Sequence, residues 1–120
     1  LVSPEPLDLV WTSQNYHDMH NPGRNLDINA ANKAVFNALK PGGTYIVLDH
    51  TAADGVAFNA AIHRIDPAMV KSEVLAAGFE FVGESNVLRN PADPRDKTVF
   101  DPSIRHKTDQ FMMKFRKPAK

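Results

Sequence analysis

Alternation between apolar and polar positions divides the chain into short elements. Residues 7–11 form a nearly continuous apolar run, which is typical of a strand covered on both faces. Apolar residues recur at three- and four-residue spacing over 28–39, which predicts a helix with Asp27 as its N-cap, ended by the Pro-Gly-Gly turn at 41–43. Residues 44–48 are rich in β-branched and aromatic side chains and predict a second strand. Strand, helix and strand with short links indicate a βαβ unit with parallel strands.

The rest of the chain predicts one more helix and two more strands. Residues 51–65 have no regular pattern and predict a loop with a short helical turn. Asp66 followed by a proline is a strong helix start, and Gly78 would end that helix. Residues 79–88 predict a third strand, and the alternation over 108–115 predicts an antiparallel or edge strand. The predicted order is β-α-β-α-β, a long loop and a final strand that completes an antiparallel hairpin.

Composition narrows the class of protein. The 120 residues suffice for one domain, and the formal net charge of zero argues against a general grip on nucleic acid or acidic membranes. The absence of Cys excludes disulfides, thiolate metal sites and a Cys nucleophile. No apolar run approaches the roughly 20 residues that span a bilayer. We expect a small-molecule substrate, no nucleic-acid or membrane partner, and cytoplasmic localisation, with export left open because the chain starts at Leu1 rather than Met.

Four segments together carry a resemblance to a known family. They are LDLVWTSQNYHD from residue 7, ALKPGG before TYIVLDH, VKSEVLAAGFEFV, and DQFMMKFRK near the end. In this order they resemble strands four to seven, with the intervening helices, of class I S-adenosylmethionine-dependent methyltransferases. NYHD, LDH after LKPGG, and the long loop before the last strand are most similar to a bacterial group known as predicted methyltransferases. The resemblance covers nearly the whole chain and implies an α/β, Rossmann-like three-layer sandwich, here the C-terminal portion of its sheet.

One departure from the family limits what this chain is expected to do alone. The family binds its cofactor with a Gly-rich loop after strand one and an acid at the end of strand two, and neither is found here. Gly42 and Gly43 follow a helix, so they cannot serve as that loop. We therefore expect residues 1–120 to be a single partial domain, the C-terminal half of a methyltransferase domain without its cofactor-loop half. Such a piece is expected to be inactive alone and poorly stable, because half a sheet exposes an apolar edge.

Polar side chains crowd the segments that follow the first two predicted strands. Residues 12–18 and 49–51 would share one rim, because ligands of open α/β sheets bind beyond the carboxyl ends of the strands. Methyl transfer to a hydroxyl or amine needs a group that accepts the acceptor's proton. His17 is the first candidate base, with Asp18 as its orienter or as a second carboxylate. His50 is the second candidate base and would approach His17 across the rim.

Other rim residues are predicted to bind ligands. Thr12 and Ser13 would contact the cofactor, S-adenosylmethionine, and the ring of Tyr16 would pack on its cationic sulfonium. Asn15 and Asp49 are predicted to contact the substrate. Structural roles stay open beside these: Tyr16 packs under the loop, Asp49 caps a turn, and Trp11 belongs to the core rather than to a cofactor platform.

Charged residues outside the rim are interpreted as surface groups. Arg64 and Asp66 would form a local ion pair. Residues 89–105 would form a solvated charged loop, with a lid over the substrate as the alternative.

Two other functions stay open. His17 and His20, with His50, Asp18 and Asp49 near in the fold, would suit a His/carboxylate metal site, although our predicted site contains no metal ligand. The second alternative is a non-catalytic α/β module that pairs with a partner chain or with itself as a homodimer, since an incomplete sheet favours association.

Overall fold

A computed structural model describes residues 4–24 and 26–119. Its strands are β1 (Leu7–Ser13), β2 (Leu39–His50), β3 (Phe58–Asn59), β4 (Arg64–Ile65), β5 (Glu80–Ser85) and β6 (Gln110–Arg116). Its helices are α1 (Ile28–Ala38) and α2 (Pro67–Ala76), and short 3-10 helices cover Tyr16–His20 and Pro22–Arg24.

The main sheet has the strand order β1-β2-β6-β5. β1 and β2 are parallel, while β6 is antiparallel to both β2 and β5. The predicted βαβ unit and the final antiparallel hairpin are both confirmed. The Rossmann-like α/β class is confirmed as well, and the described residues contribute the sheet and one helical layer.

Local capping determines where both helices begin. The Asp27 carboxylate accepts hydrogen bonds from the backbone N–H groups of Asn29 and Ala30, and Asp66 caps α2 through the N–H of Ala68. The end of α1 differs from the prediction, because the helix stops at Ala38 and β2 already begins at Leu39. The reason is tertiary: the Pro-Gly-Gly turn exchanges backbone hydrogen bonds with Lys117, just beyond β6.

The core lies on one face of the sheet. Tyr45 and Val47 of β2 pair with Phe115 and Met113 of β6, and these side chains pack with both α-helices into a single buried cluster. The other face of β1 is open, contrary to the prediction of a strand covered on both faces. Trp11, predicted to be a core residue, is 55% exposed. Successive side chains of a strand point to opposite faces, and Val10 faces the helices, so Trp11 faces away from them. The apolar run alone therefore does not show which face of β1 is covered.

Residues 51–65 contain a small hairpin rather than the predicted loop with a helical turn. β3 and β4 pair antiparallel, with Phe58 opposite Ile65 and Asn59 opposite Arg64. The predicted pair between Arg64 and Asp66 is not formed. Arg64 is instead fully buried, and its Nη1 lies 2.8 Å from Asp93 Oδ2. The long loop that carries Asp93 is therefore anchored in the interior and is only partly a solvated loop. Across the described ranges 4–24 and 26–119, the helices are too short or too polar to cross a membrane.

Candidate functional site

The carboxyl ends of β1 and β2 lie side by side, with Ser13 opposite Leu48. Gln14 then adopts a left-handed backbone, with φ at 60°, and its N–H donates to the Leu48 carbonyl at 2.7 Å. This turn directs the chain into the 3-10 helix Tyr16–His20, which carries His17 over the end of β2. The rim predicted from the sequence is thus assembled from these two strand ends.

Asp49 is the buried centre of this rim. Its carboxylate accepts from the His17 backbone N–H, the His17 ring Nδ1–H and the His50 backbone N–H, each at 2.7 Å. Because an ionised carboxylate can only accept, the His17 Nδ1–H donates to Asp49, and Nε2 is the ring nitrogen directed away from it. Asp49, rather than the predicted Asp18, therefore orients the His17 ring.

Two further side chains, those of Asp18 and His63, lie beside the His17 ring. Asp18 Oδ1 lies 3.4 Å from His17 Nε2, and His63 Nδ1 lies 4.0 Å from the same carboxylate oxygen. The ring centroids of His17 and His63 are 5.4 Å apart, in an edge-on arrangement. We call His17, Asp18, Asp49 and His63 the rim cluster. Sequence reasoning missed His63, because it lies in the hairpin turn of a segment without a regular pattern.

His50 lies beside the cluster, with its ring centroid 6.1 Å from that of His17. Its Nδ1 lies 2.7 Å from the Thr108 hydroxyl, and its ring is almost fully buried. Burial lowers the pKa of His50 to about 4, against the opposing pull of the Asp49 carboxylate. At neutral pH His50 is therefore an uncharged ring and a weaker base than an ordinary histidine.

Tyr16 and His20 both turn away from the rim. The buried Tyr16 hydroxyl donates to Glu73 Oε1 at 3.0 Å and accepts from Asn32 Nδ2 at 2.8 Å. Burial raises the pKa of Tyr16 far above its usual range, and the nearby Glu73 carboxylate adds to the shift. His20 Nε2 lies 2.8 Å from the same Glu73 oxygen. The ring of Tyr16 therefore presents no surface to a cofactor, and His20 does not join His17 in a common ligand set.

The remaining predicted site residues lie along the entrance to the rim. Thr12 is half-buried, whereas Ser13 and Asn15 are exposed. A cavity of about 140 Å³ opens next to His50, and its walls come partly from the long loop. Its lining includes Gln14, His50, Phe100, Arg105 and His106. The loop thus borders the site, in keeping with the lid alternative.

Comparisons with known proteins bear on the fold. No protein-family model matches the chain, and no curated protein matches it. Among solved structures, the chain is similar to the [4+2]-cyclase SpnF, with a TM-score of 0.64, 16% identity, and coverage of 99% of this chain and 53% of that one. It is also similar to the N-methyltransferase NodS from Bradyrhizobium japonicum, with a TM-score of 0.63, 14% identity and coverage of 98% and 55%.

A third similar structure is a putative methyltransferase in complex with the Haloferax volcanii Trm112 methyltransferase activator. Its TM-score is 0.61 at 13% identity, with 98% of this chain and 57% of that chain covered. The chain thus spans about half the length of the solved structures it matches. These similarities establish a methyltransferase-like fold. Because a cyclase shares it, the fold by itself does not select the reaction.

Proposed function

We propose that this chain is part of an enzyme that transfers a methyl group from S-adenosylmethionine to a small-molecule acceptor. The observation that carries the proposal is the 2.7 Å contact between His17 Nδ1 and Asp49 Oδ1 at the carboxyl ends of β1 and β2. A base held in one tautomer at the ligand-binding edge of an α/β sheet suits acceptors that must lose a proton. The chain spans about half of its structural neighbours, so the activity proposed is that of a larger enzyme.

His17 is proposed to take the acceptor's proton on Nε2. The 2.7 Å contact from Nδ1 to Asp49 supports this role, because it leaves Nε2 as the ring nitrogen that can face the acceptor. Asp18 Oδ1, at 3.4 Å from Nε2, would then stabilise the imidazolium that forms. His50 is proposed to line the acceptor pocket as a neutral ring rather than to act as the base. Asn15 is proposed to contact the acceptor from the exposed side.

Two of the three residues predicted to bind the cofactor are placed where they could contact it. Thr12 and Ser13 stand at the end of β1 with accessible polar groups, so we propose that they contact the cofactor there. Tyr16 does not fit this role, since its buried hydroxyl is bonded to Glu73 and Asn32. When bound, S-adenosylmethionine would supply the methyl group. The partners proposed are this cofactor and one small molecule.

Calorimetric titration of S-adenosylhomocysteine tests the proposal. The titration is run on this chain and, where the encoded protein is longer, on the longer form. Micromolar binding by the longer form and none by the isolated chain is the expected result if the other half supplies most of the cofactor grip. Micromolar binding by the isolated chain would support methyl transfer and contradict our view that the chain is only part of the cofactor site.

Absence of binding in every form would contradict methyl transfer. The pairing alternative then predicts a ligand-free dimer that forms with increasing concentration in sedimentation. The observation that favours this alternative is the open face of the sheet, where Leu9, Trp11 and Val82 are 49%, 55% and 53% exposed.

A further inference from the structure

We propose that His17, Asp18 and His63 bind a divalent transition-metal ion at the rim. Each side chain offers one ligand atom, and these atoms lie within 4.8 Å of one another. Two imidazole nitrogens and one carboxylate oxygen form a donor set suited to Zn²⁺, Co²⁺ or Fe²⁺. Three protein ligands leave at least one coordination position for water or a small molecule.

The support around His17 is what such a site requires. A metal-binding histidine usually donates its second ring N–H to a carboxylate, which fixes the tautomer and the ring orientation. Asp49 Oδ1 accepts from His17 Nδ1 at 2.7 Å and leaves Nε2 directed toward Asp18, at 3.4 Å. The ring is therefore held with Nε2, the nitrogen that would bind the metal, on the side of the Asp18 carboxylate.

The His63 backbone N–H donates to the Ala60 carbonyl at 3.4 Å, and its ring is positioned by contacts with other rings. Its ring lies edge-on to both His17, at 5.4 Å, and Phe100, at 5.3 Å between centroids. Its backbone has φ at 60°, in the left-handed region that His adopts more often than most other non-glycine residues. The Asp18 and His63 side chains are 30% and 35% exposed, so an ion from solvent can reach the cluster.

Metal binding is a separate proposal from methyl transfer. It would use the same Nε2 lone pair of His17 that is proposed to accept a proton. That lone pair can hold a proton or a metal, but not both at once. A bound ion would therefore prevent His17 from acting as the base. The Co²⁺ titration is run without S-adenosylmethionine, so failure of the metal site and failure of the proposed methyl transfer are distinguishable.

Titration of the full chain with Co²⁺, followed by visible absorption and by equilibrium dialysis, tests the site. We expect one Co²⁺ per chain, with absorption typical of low-coordinate cobalt. His63→Gln should lower the affinity at least about tenfold, and Asp18→Asn should lower it in the same direction. Neither substitution removes a buried hydrogen bond found among the described residues, so the fold should persist, as circular dichroism will check.

His106→Gln is the matched control. His106 is exposed and also has a left-handed backbone, with φ at 67°, but it lies outside the ligand set. We expect this variant to bind Co²⁺ like the unaltered chain. Absence of stoichiometric binding would overturn the proposal. So would equal binding by His63→Gln, or an equal loss in His106→Gln, which would indicate adventitious binding to surface histidines.

Discussion

Two clusters of polar side chains lie near the end of β2, and they differ in burial and in the number of close hydrogen bonds they form. At the first, Arg64 donates to both oxygens of Asp93, at 2.8 and 3.1 Å, and to the carbonyls of Thr51 and Lys97. Asp93 also accepts from the backbone N–H groups of Arg95 and Asp109. Both side chains of this Arg64 centre are fully buried, so within the described part of the chain the ion pair is closed to solvent.

The rim cluster is arranged in the opposite way. Both oxygens of Asp49 accept hydrogen bonds, yet His17 Nε2 and Asp18 Oδ1 lie 3.4 Å apart, and His63 Nδ1 is 4.0 Å from that Asp18 oxygen. Among the described residues, the His63 ring has no hydrogen-bond partner closer than this. A fully bonded buried centre stabilises the fold, whereas donor atoms that face one another at longer distances can take up a ligand. The following substitutions test that division of roles.

Arg64→Ala should have the largest effect on stability. It leaves the Asp93 carboxylate buried without its counter-charge, which costs about 3–5 kcal/mol in the free energy of unfolding. Urea denaturation measures the loss. Arg116→Ala is the control, because Arg116 forms an exposed pair with Glu80 that should contribute about 0–1 kcal/mol. A loss of less than 1 kcal/mol in Arg64→Ala would contradict the structural role of the Arg64 centre.

His50→Gln should reduce the pH dependence of stability. The pKa of His50 is about 4 in the folded chain, whereas an unfolded histidine has a pKa of about 6.5. The unfolded chain therefore binds a proton first, and stability falls as the pH falls from about 6.5 to about 4. We expect this contribution to be on the order of 3 kcal/mol and to be absent in the variant.

Urea denaturation at several pH values checks the prediction. Arg64 and backbone N–H groups lower the pKa of Asp93, although burial opposes this shift. Protonation of Asp93 therefore destabilises both chains as the pH falls. Only the difference between the two chains is therefore assigned to His50. Parallel profiles for His50→Gln and the unaltered chain would show that His50 does not titrate as the structure indicates.

His63→Gln should have the smallest effect on stability. Its ring is partly exposed and lacks a close hydrogen bond within the described part of the chain, so we expect a change within about 0.5 kcal/mol in urea. The same variant is expected to lose Co²⁺ binding, which separates a binding role from a structural one. Destabilisation by more than 1 kcal/mol would place His63 with the structural residues instead.

Much of the fold was predictable because its signals are local. Asp27 and Asp66 begin helices through hydrogen bonds to N–H groups two or three residues later, and such contacts depend only on nearby sequence. The β-branched residues of β2 and the alternation in β6 likewise identify strands without reference to the rest of the chain. The rim was predictable for a related reason, since parallel neighbouring strands place their carboxyl ends at one edge.

The tertiary structure alone decided which side chains meet. Asp49 lies 32 positions from His17 and still takes the orienting role predicted for the adjacent Asp18, because the parallel pairing of β1 and β2 brings their ends together. His63 reaches the rim cluster through the β3–β4 hairpin, which the hydrophobic pattern of residues 51–65 did not predict. Trp11 is exposed because both α-helices pack on the opposite face of the sheet. Hydropathy and capping act over a few residues, whereas these contacts depend on strand pairing and packing between distant segments.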